Sequence, residues 1–166
     1  CVLWLDEIEK GLSAVSNSDD TSRRMLGTFL NWLSDNTDRV FIVATANDVS
    51  ALPPELLRKG RFDEVFFVDL PNFDERAQVL SLHLRQREQD IQAFDIDALS
   101  EATDGFSGAE LEQLVVSAMY QSHAQSTSMD TTMLLELAAT TRPLSVLMAE
   151  HVQGLRSWAA ERATPV

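Results

Sequence analysis

Three short apolar runs stand out along the chain: Cys1 to Leu5, Val40 to Ala44 and Val65 to Val68. Runs of this length without polar alternation predict strands buried on both faces. Between the first two, Arg24 to Leu33 repeats at helical spacing and places Met25, Leu26, Phe29, Leu30 and Leu33 on one face, while Ser13 to Thr21 ahead of it is small, polar and loop-like. Strand, loop, helix, strand predicts a parallel sheet with helices packed on it, an α/β core. After Leu70-Pro71-Asn72 the strand pattern stops. Asp74 to Arg87, Asp97 to Ala102, Ser107 to about Ser122, Thr131 to Thr140 and Leu144 to Glu161 read as helices, with a polar stretch, Gln121 to Asp130, before the fourth. In the last helix Leu144, Leu147, Met148, His151, Val152, Leu155 and Trp158 share one face, a packing stripe. The second half is therefore an all-helical subdomain, with no internal repeat.

Composition narrows the picture. A chain of 166 residues with 45% apolar residues can bury one sizeable core with a small helical addition. A net charge of -13 argues against binding nucleic acid or anionic lipid, both of which require dense cationic surface, and favours a basic partner. The single cysteine, Cys1, allows no internal disulfide and fits a reducing compartment. No apolar run reaches the roughly 18 residues that suggest a membrane span. The chain opens on Cys within an apolar run, so its start, and any targeting signal, are expected upstream.

The candidate chemistry sits where the strands end. Asp6-Glu7 follows the first strand, placing two acids at the C-terminal edge of a parallel sheet, where open α/β folds bind ligands. The first could hold Mg²⁺ through water and the second orient a water for attack on a phosphate; equally, Asp6 could cap the next helix. Asn47 ends the second strand at the same edge, either as a hydrogen-bond donor to water or phosphate or as an ordinary turn former. Leu52 to Asp63 reads as a short helix started by Pro53 and Pro54 and stopped at Gly60, which accounts for Arg58. It does not account for Arg61, held on the corner beyond that glycine and able to reach a phosphate in its own subunit or a neighbour's. His83, His123 and His151 are scattered, with no zinc-protease spacing.

Taken in order, Leu3-Trp4-Leu5-Asp6-Glu7, Ala44-Thr45-Ala46-Asn47 and Leu56-Leu57-Arg58-Lys59-Gly60-Arg61-Phe62-Asp63 resemble the Walker B strand, the sensor asparagine and the second region of homology of AAA ATPases. Thr103 to Leu111 resembles the lid signature of that family, although Ser107 and Glu110 also make a plain capping box. The resemblance implies the C-terminal part of a P-loop NTPase core at 1–71, a helical lid at 72–141 and a C-terminal helix at 142–166. It implies ATP and Mg²⁺ as cofactors, Asp6 organising the metal through water, Glu7 as catalytic glutamate, Asn47 as sensor, Arg58 and Arg61 as arginine fingers for an adjacent subunit, and Gly108 and Ala109 near the adenine and ribose. It further implies a homo-oligomeric ring, expected as a hexamer, that remodels a protein substrate in the cytoplasm, or in the plastid stroma if the source is algal. Ser13 to Thr21 corresponds by position to the second pore loop.

Two departures qualify this. Glu64 stands where many members carry an arginine, and no G-x-x-x-x-G-K-[ST] phosphate loop occurs in the chain. Such a loop is expected about 50 to 70 residues upstream of Asp6, from the size of a strand-helix-strand crossover. The chain alone is accordingly expected to be inactive. The alternative is a non-catalytic, AAA-like interaction subunit. Within the family, Val2 to Leu12 and Arg142 to Glu150 resemble the AAA proteins of cyanobacteria, algal plastids and other bacteria.

Overall fold

A computed structural model describes residues 1–13, 20–35, 39–58 and 60–165. They cluster into two compact units, residues 1–67 with 157–166, and residues 68–156.

In the first unit, β1 (Val2–Leu5) runs parallel to β2 (Phe41–Ala44), pairing Val2 with Phe41 through Leu5 with Ala44. Between them lie α1 (Ile8–Ser13) and α2 (Asp20–Asp35), the latter longer than its apolar repeat. Ile42 on β2 packs on a cluster of Leu30 and Leu33 from α2 with Leu52 and Leu56, which come from the segment after β2. That segment forms two 3-10 turns, Val49–Ala51 and Pro54–Leu57, rather than one helix. The expected pore loop falls almost wholly outside the described residues, as do the side chain of Met25 and residue 59.

The opposite face of this pair departs from expectation. Val2, Trp4 and Phe41 are 68%, 64% and 69% exposed, so these strands are not buried on both faces. An apolar run fixes which residues can be buried, whereas burial itself needs a second layer, and none of the described residues supplies one. The third apolar run gives only β3 (Phe66–Phe67), which pairs with β4 (Thr164–Pro165) in a separate two-stranded parallel sheet. The Glu64 carboxylate accepts from the Thr164 hydroxyl at 3.4 Å beside this pair.

The second unit is helical: α3 (Phe73–Gln86), α4 (Ile96–Ala102), α5 (Gly108–Gln125), α6 (Thr131–Thr140), α7 (Leu144–Leu147) and the first part of α8 (Ala149–Arg162). Leu80 and Leu84 of α3, Leu99 of α4, Leu111 and Val115 of α5 and Leu134 of α6 are completely buried together. Each of α3 to α6 opens on a side-chain cap: Asn72, Asp95, Ser107 and Asp130 accept from the third backbone N–H of their helices. Arg76 is buried with its charge satisfied, donating to the Ser100 and Pro71 carbonyls at 3.0 and 2.9 Å and pairing with Asp104 at 3.2 Å. Asp69 accepts twice from Arg156 Nε, at 2.8 and 3.0 Å. Burial pushes the Asp69 carboxyl up, but the Arg156 hydrogen bond and charge and the Leu70 amide outweigh it and hold it below its ordinary range.

The segment 142–166 is not one helix. The chain breaks at Met148 between α7 and α8, and Leu144, Leu147 and Met148 are exposed, so they do not continue the face of Val152, Leu155 and Trp158. No described helix is long and apolar enough to cross a membrane.

Candidate functional site at the β1–β2 edge

The parallel ladder carries one residue past each strand. The Thr45 N–H donates to the Leu5 carbonyl at 2.9 Å, and the Thr45 carbonyl accepts from the Ile8 N–H at 3.0 Å. Asp6 and Glu7 are thereby pinned against Thr45 to Asn47. The Thr45 hydroxyl donates to Asp6 Oδ1 at 2.5 Å and accepts from the Glu7 N–H at 3.0 Å. Glu7 sits at φ 49°, a left-handed conformation that costs a non-glycine residue about 1–2 kcal/mol. Its carboxylate is held at both oxygens: Asn47 Nδ2 donates to Oε1 at 3.0 Å and Lys10 Nζ to Oε2 at 2.5 Å.

Lys10 is raised above its ordinary value, first by the hydrogen bond to Glu7 and then by the charge of Glu7. The pair is solvated, with side chains 69% and 38% exposed, so it orients Glu7 more than it stabilises the fold. Glu9, in the first turn of α1, is buried; its Oε1 accepts from the Asn47 backbone N–H at 3.1 Å.

The structure therefore brings together Asp6, Glu7 and Asn47, and adds Thr45, Glu9 and Lys10, which sequence reasoning missed. Thr45 had a readable signal, a hydroxyl closing an apolar strand. Glu9 and Lys10 did not, because α1 is only six residues long and gives no periodicity to read. A solvated carboxylate steadied at one oxygen, beside another aimed by an amide, can bind a hydrated cation and orient a water. Among the described residues no group of three or more His, Cys, Asp or Glu forms a metal cage.

The remaining candidates lie on other elements. Arg58 is exposed after the second 3-10 turn, its N–H donating to the Glu55 carbonyl at 3.3 Å. Gly60, at φ +91°, turns the chain into Arg61, which is half-buried with Nη1 enclosed and without a hydrogen-bond partner among the described residues. Neither guanidinium bonds to Asp6, Glu7 or Asn47. Gly108 and Ala109 belong to the second unit, where they open α5 behind the Ser107–Glu110 capping box. Glu110 also accepts from the Leu144 N–H at 2.7 Å. Burial pushes its carboxyl up, but the Ser107 amide and hydroxyl and the Leu144 amide together hold it below the ordinary 4.5.

Comparison with known proteins identifies the family. The ATPase family associated with various cellular activities (AAA) matches residues 1–70, and the AAA+ lid domain matches residues 93–135, together more than half of the chain. The uncharacterized AAA domain-containing protein ycf46 of Pyropia yezoensis is 42% identical over 164 residues, 97% of this chain and 33% of that protein. The proteasome-activating nucleotidase of Saccharolobus solfataricus is 31% identical over 125 residues, 72% of this chain and 32% of that one. The crystal structure of the FIGL-1 AAA domain in complex with ADP aligns at a TM-score of 0.77 and 25% identity, over 98% of this chain and 57% of that chain. The chain spans about a third of the length of the curated relatives it matches. With an α/β edge carrying Asp6, Glu7 and Asn47 and a helical unit matching the lid, the chain belongs to the AAA family of ATPases.

Proposed function

We propose that the whole protein hydrolyses ATP in a homo-oligomeric, hexameric ring and uses the energy to remodel a protein partner. One observation carries this reading: the Glu7 carboxylate, beside Asp6 at the end of β1, is aimed by the Asn47 amide 3.0 Å away at the end of β2. The donor set suits ATP with Mg²⁺. Magnesium keeps most of its waters and needs only one or two carboxylates besides the phosphates, so Asp6, fixed at one oxygen by Thr45, is adequate where a protein cage is absent. Bound there, Mg²⁺ would neutralise phosphate charge. Glu7 would orient the attacking water and accept its proton, and Asn47 would hold that water or a γ-phosphate oxygen.

Arg58 and Arg61 fit the role of fingers supplied to a neighbouring subunit. Arg58 is exposed, and the half-buried Arg61 has an Nη1 without a hydrogen-bond partner among the described residues. Gly108 and Ala109 would lie against the base and sugar, as suits small residues opening a helix. Glu64, in place of an arginine, lies beside the β3–β4 pair with a long, exposed contact to Thr164 at 3.4 Å, and the departure would change contacts between subunits more than catalysis. The chain alone lacks a phosphate loop and is inactive in this reading.

Glu7→Gln in the whole protein tests the proposal. The isosteric amide cannot accept a proton, so the variant should leave gel filtration carrying intact ATP where wild type carries ADP. ADP in both would refute the assignment of Glu7.

A further inference from the structure

Glu9 is the one buried acid among the described residues, 6% exposed, and the hydrolytic arrangement makes no direct use of it. Its surroundings do not favour a carboxylate. Ile8, Ala46 and Val49 nearby in the chain and fold pack into the apolar cluster of the first unit, and Glu9 Oε2 is enclosed without a hydrogen-bond partner among the described residues. A leucine has similar volume and would avoid the desolvation of a half-satisfied carboxylate. Packing therefore does not explain the residue.

What Glu9 does contribute is one bond, from its Oε1 to the backbone N–H of Asn47 at 3.1 Å. Asn47 itself is exposed in the turn after β2, while its bond to Glu9 is part-buried. The bond closes a loop of contacts around the site. Glu9 holds the Asn47 backbone, the Asn47 side chain holds Glu7, and the chain returns from Glu7 to Glu9 through Ile8, whose N–H hangs on the Thr45 carbonyl.

Resting on the hydrolytic reading above, we infer that Glu9 is a positioning residue: it fixes the backbone of Asn47 so that the Asn47 amide stays in register with the Glu7 carboxylate. It acts through Asn47 and touches no reacting atom.

The inference separates acceptor geometry from charge and from fold stability. Glu9→Gln keeps an oxygen where Oε1 lies; Glu9→Leu keeps the volume and removes the acceptor. In the whole protein, with rates counted per molecule that binds ADP, Glu9→Leu should lower kcat about tenfold while KM for ATP changes less than about twofold, because a misplaced aiming group harms the reacting geometry more than binding. Its melting temperature should stay level or rise, since a costly buried carboxylate is gone. Glu9→Gln should keep kcat within about threefold of wild type. If Glu9→Leu gives no folded protein, Glu9→Ala carries the same expectation. Wild-type kcat in the acceptorless variant, or a Glu9→Gln as slow as it, overturns the inference. Glu7→Gln run in parallel keeps the two failures apart: wild-type hydrolysis there defeats the hydrolytic reading itself, whereas a silent Glu7→Gln beside a wild-type Glu9→Leu defeats only the role of Glu9.

Discussion

At the residue scale, Thr45 ties the two acids together more directly than any other side chain. Its one hydroxyl donates to Asp6 and accepts from the Glu7 N–H, so it fixes the carboxylate proposed for the cation and the backbone that carries the proposed base. Thr45→Val keeps the shape and removes both bonds. It should destabilise the fold by about 1–2 kcal/mol in urea unfolding and slow hydrolysis, because the left-handed Glu7 loses a local restraint. Thr45→Ser should recover most of both, and equal activity in Val and Ser variants would show that the hydroxyl is dispensable. Asp6, Glu7 and Asn47 were legible as candidates because strands of a parallel sheet end at one edge, so a polar residue following each apolar run must lie near the others. Thr45 showed only a hydroxyl closing an apolar strand and Glu9 showed no signal, since their partners stand 39 and 38 residues away and only the β1–β2 register brings them into reach.

At the element scale, the helical unit was the most readable part. Its signals are local: Asn72, Asp95, Ser107 and Asp130 cap the helices that the 3.6-residue repeat outlines. Ser107→Ala should cost about 1 kcal/mol in thermal or denaturant unfolding. The partner acid adds a pH signature. Because the folded Glu110 carboxyl is held below its ordinary 4.5, the stability it lends is fully present above that value and is lost as pH falls through the lower folded value. The stability advantage of wild type over Ser107→Ala with Glu110→Gln, read by urea unfolding followed by circular dichroism at a series of pH values, should therefore be full above 4.5 and shrink as pH falls below it; an advantage independent of pH would count against it. Gly105 marks another fixed point: its φ is +76°, and an added Cβ would come within 2.5 Å of Ser145 Oγ. Gly105→Ala should destabilise, and Ser145→Ala in that background should recover only the steric share, leaving the backbone strain. What local pattern could not disclose was layering. The runs at 1–5 and 40–44 are apolar throughout, yet which face is covered depends on elements remote in sequence. The break at Met148 was hidden for a similar reason, since apolar spacing continues across it.

At the scale of the whole molecule, the proposed active site would be completed by a phosphate loop and a neighbouring subunit. If Arg61 acts across a subunit interface, Arg61→Ala and Glu7→Gln rings should each be inactive, while mixed rings regain activity. In a random equimolar ring about a quarter of the interfaces pair an intact Glu7 with an intact Arg61. No recovery on mixing would place Arg61 outside that role. The central claim is that the β1–β2 edge is a hydrolysis centre, and single-turnover hydrolysis of prebound ATP by the whole protein tests it most directly. Wild type should release phosphate, whereas Glu7→Gln should be slower by about 100-fold or more and Asn47→Ala by at least about tenfold, with ATP still bound in both. Wild-type release rates in Glu7→Gln would contradict the account.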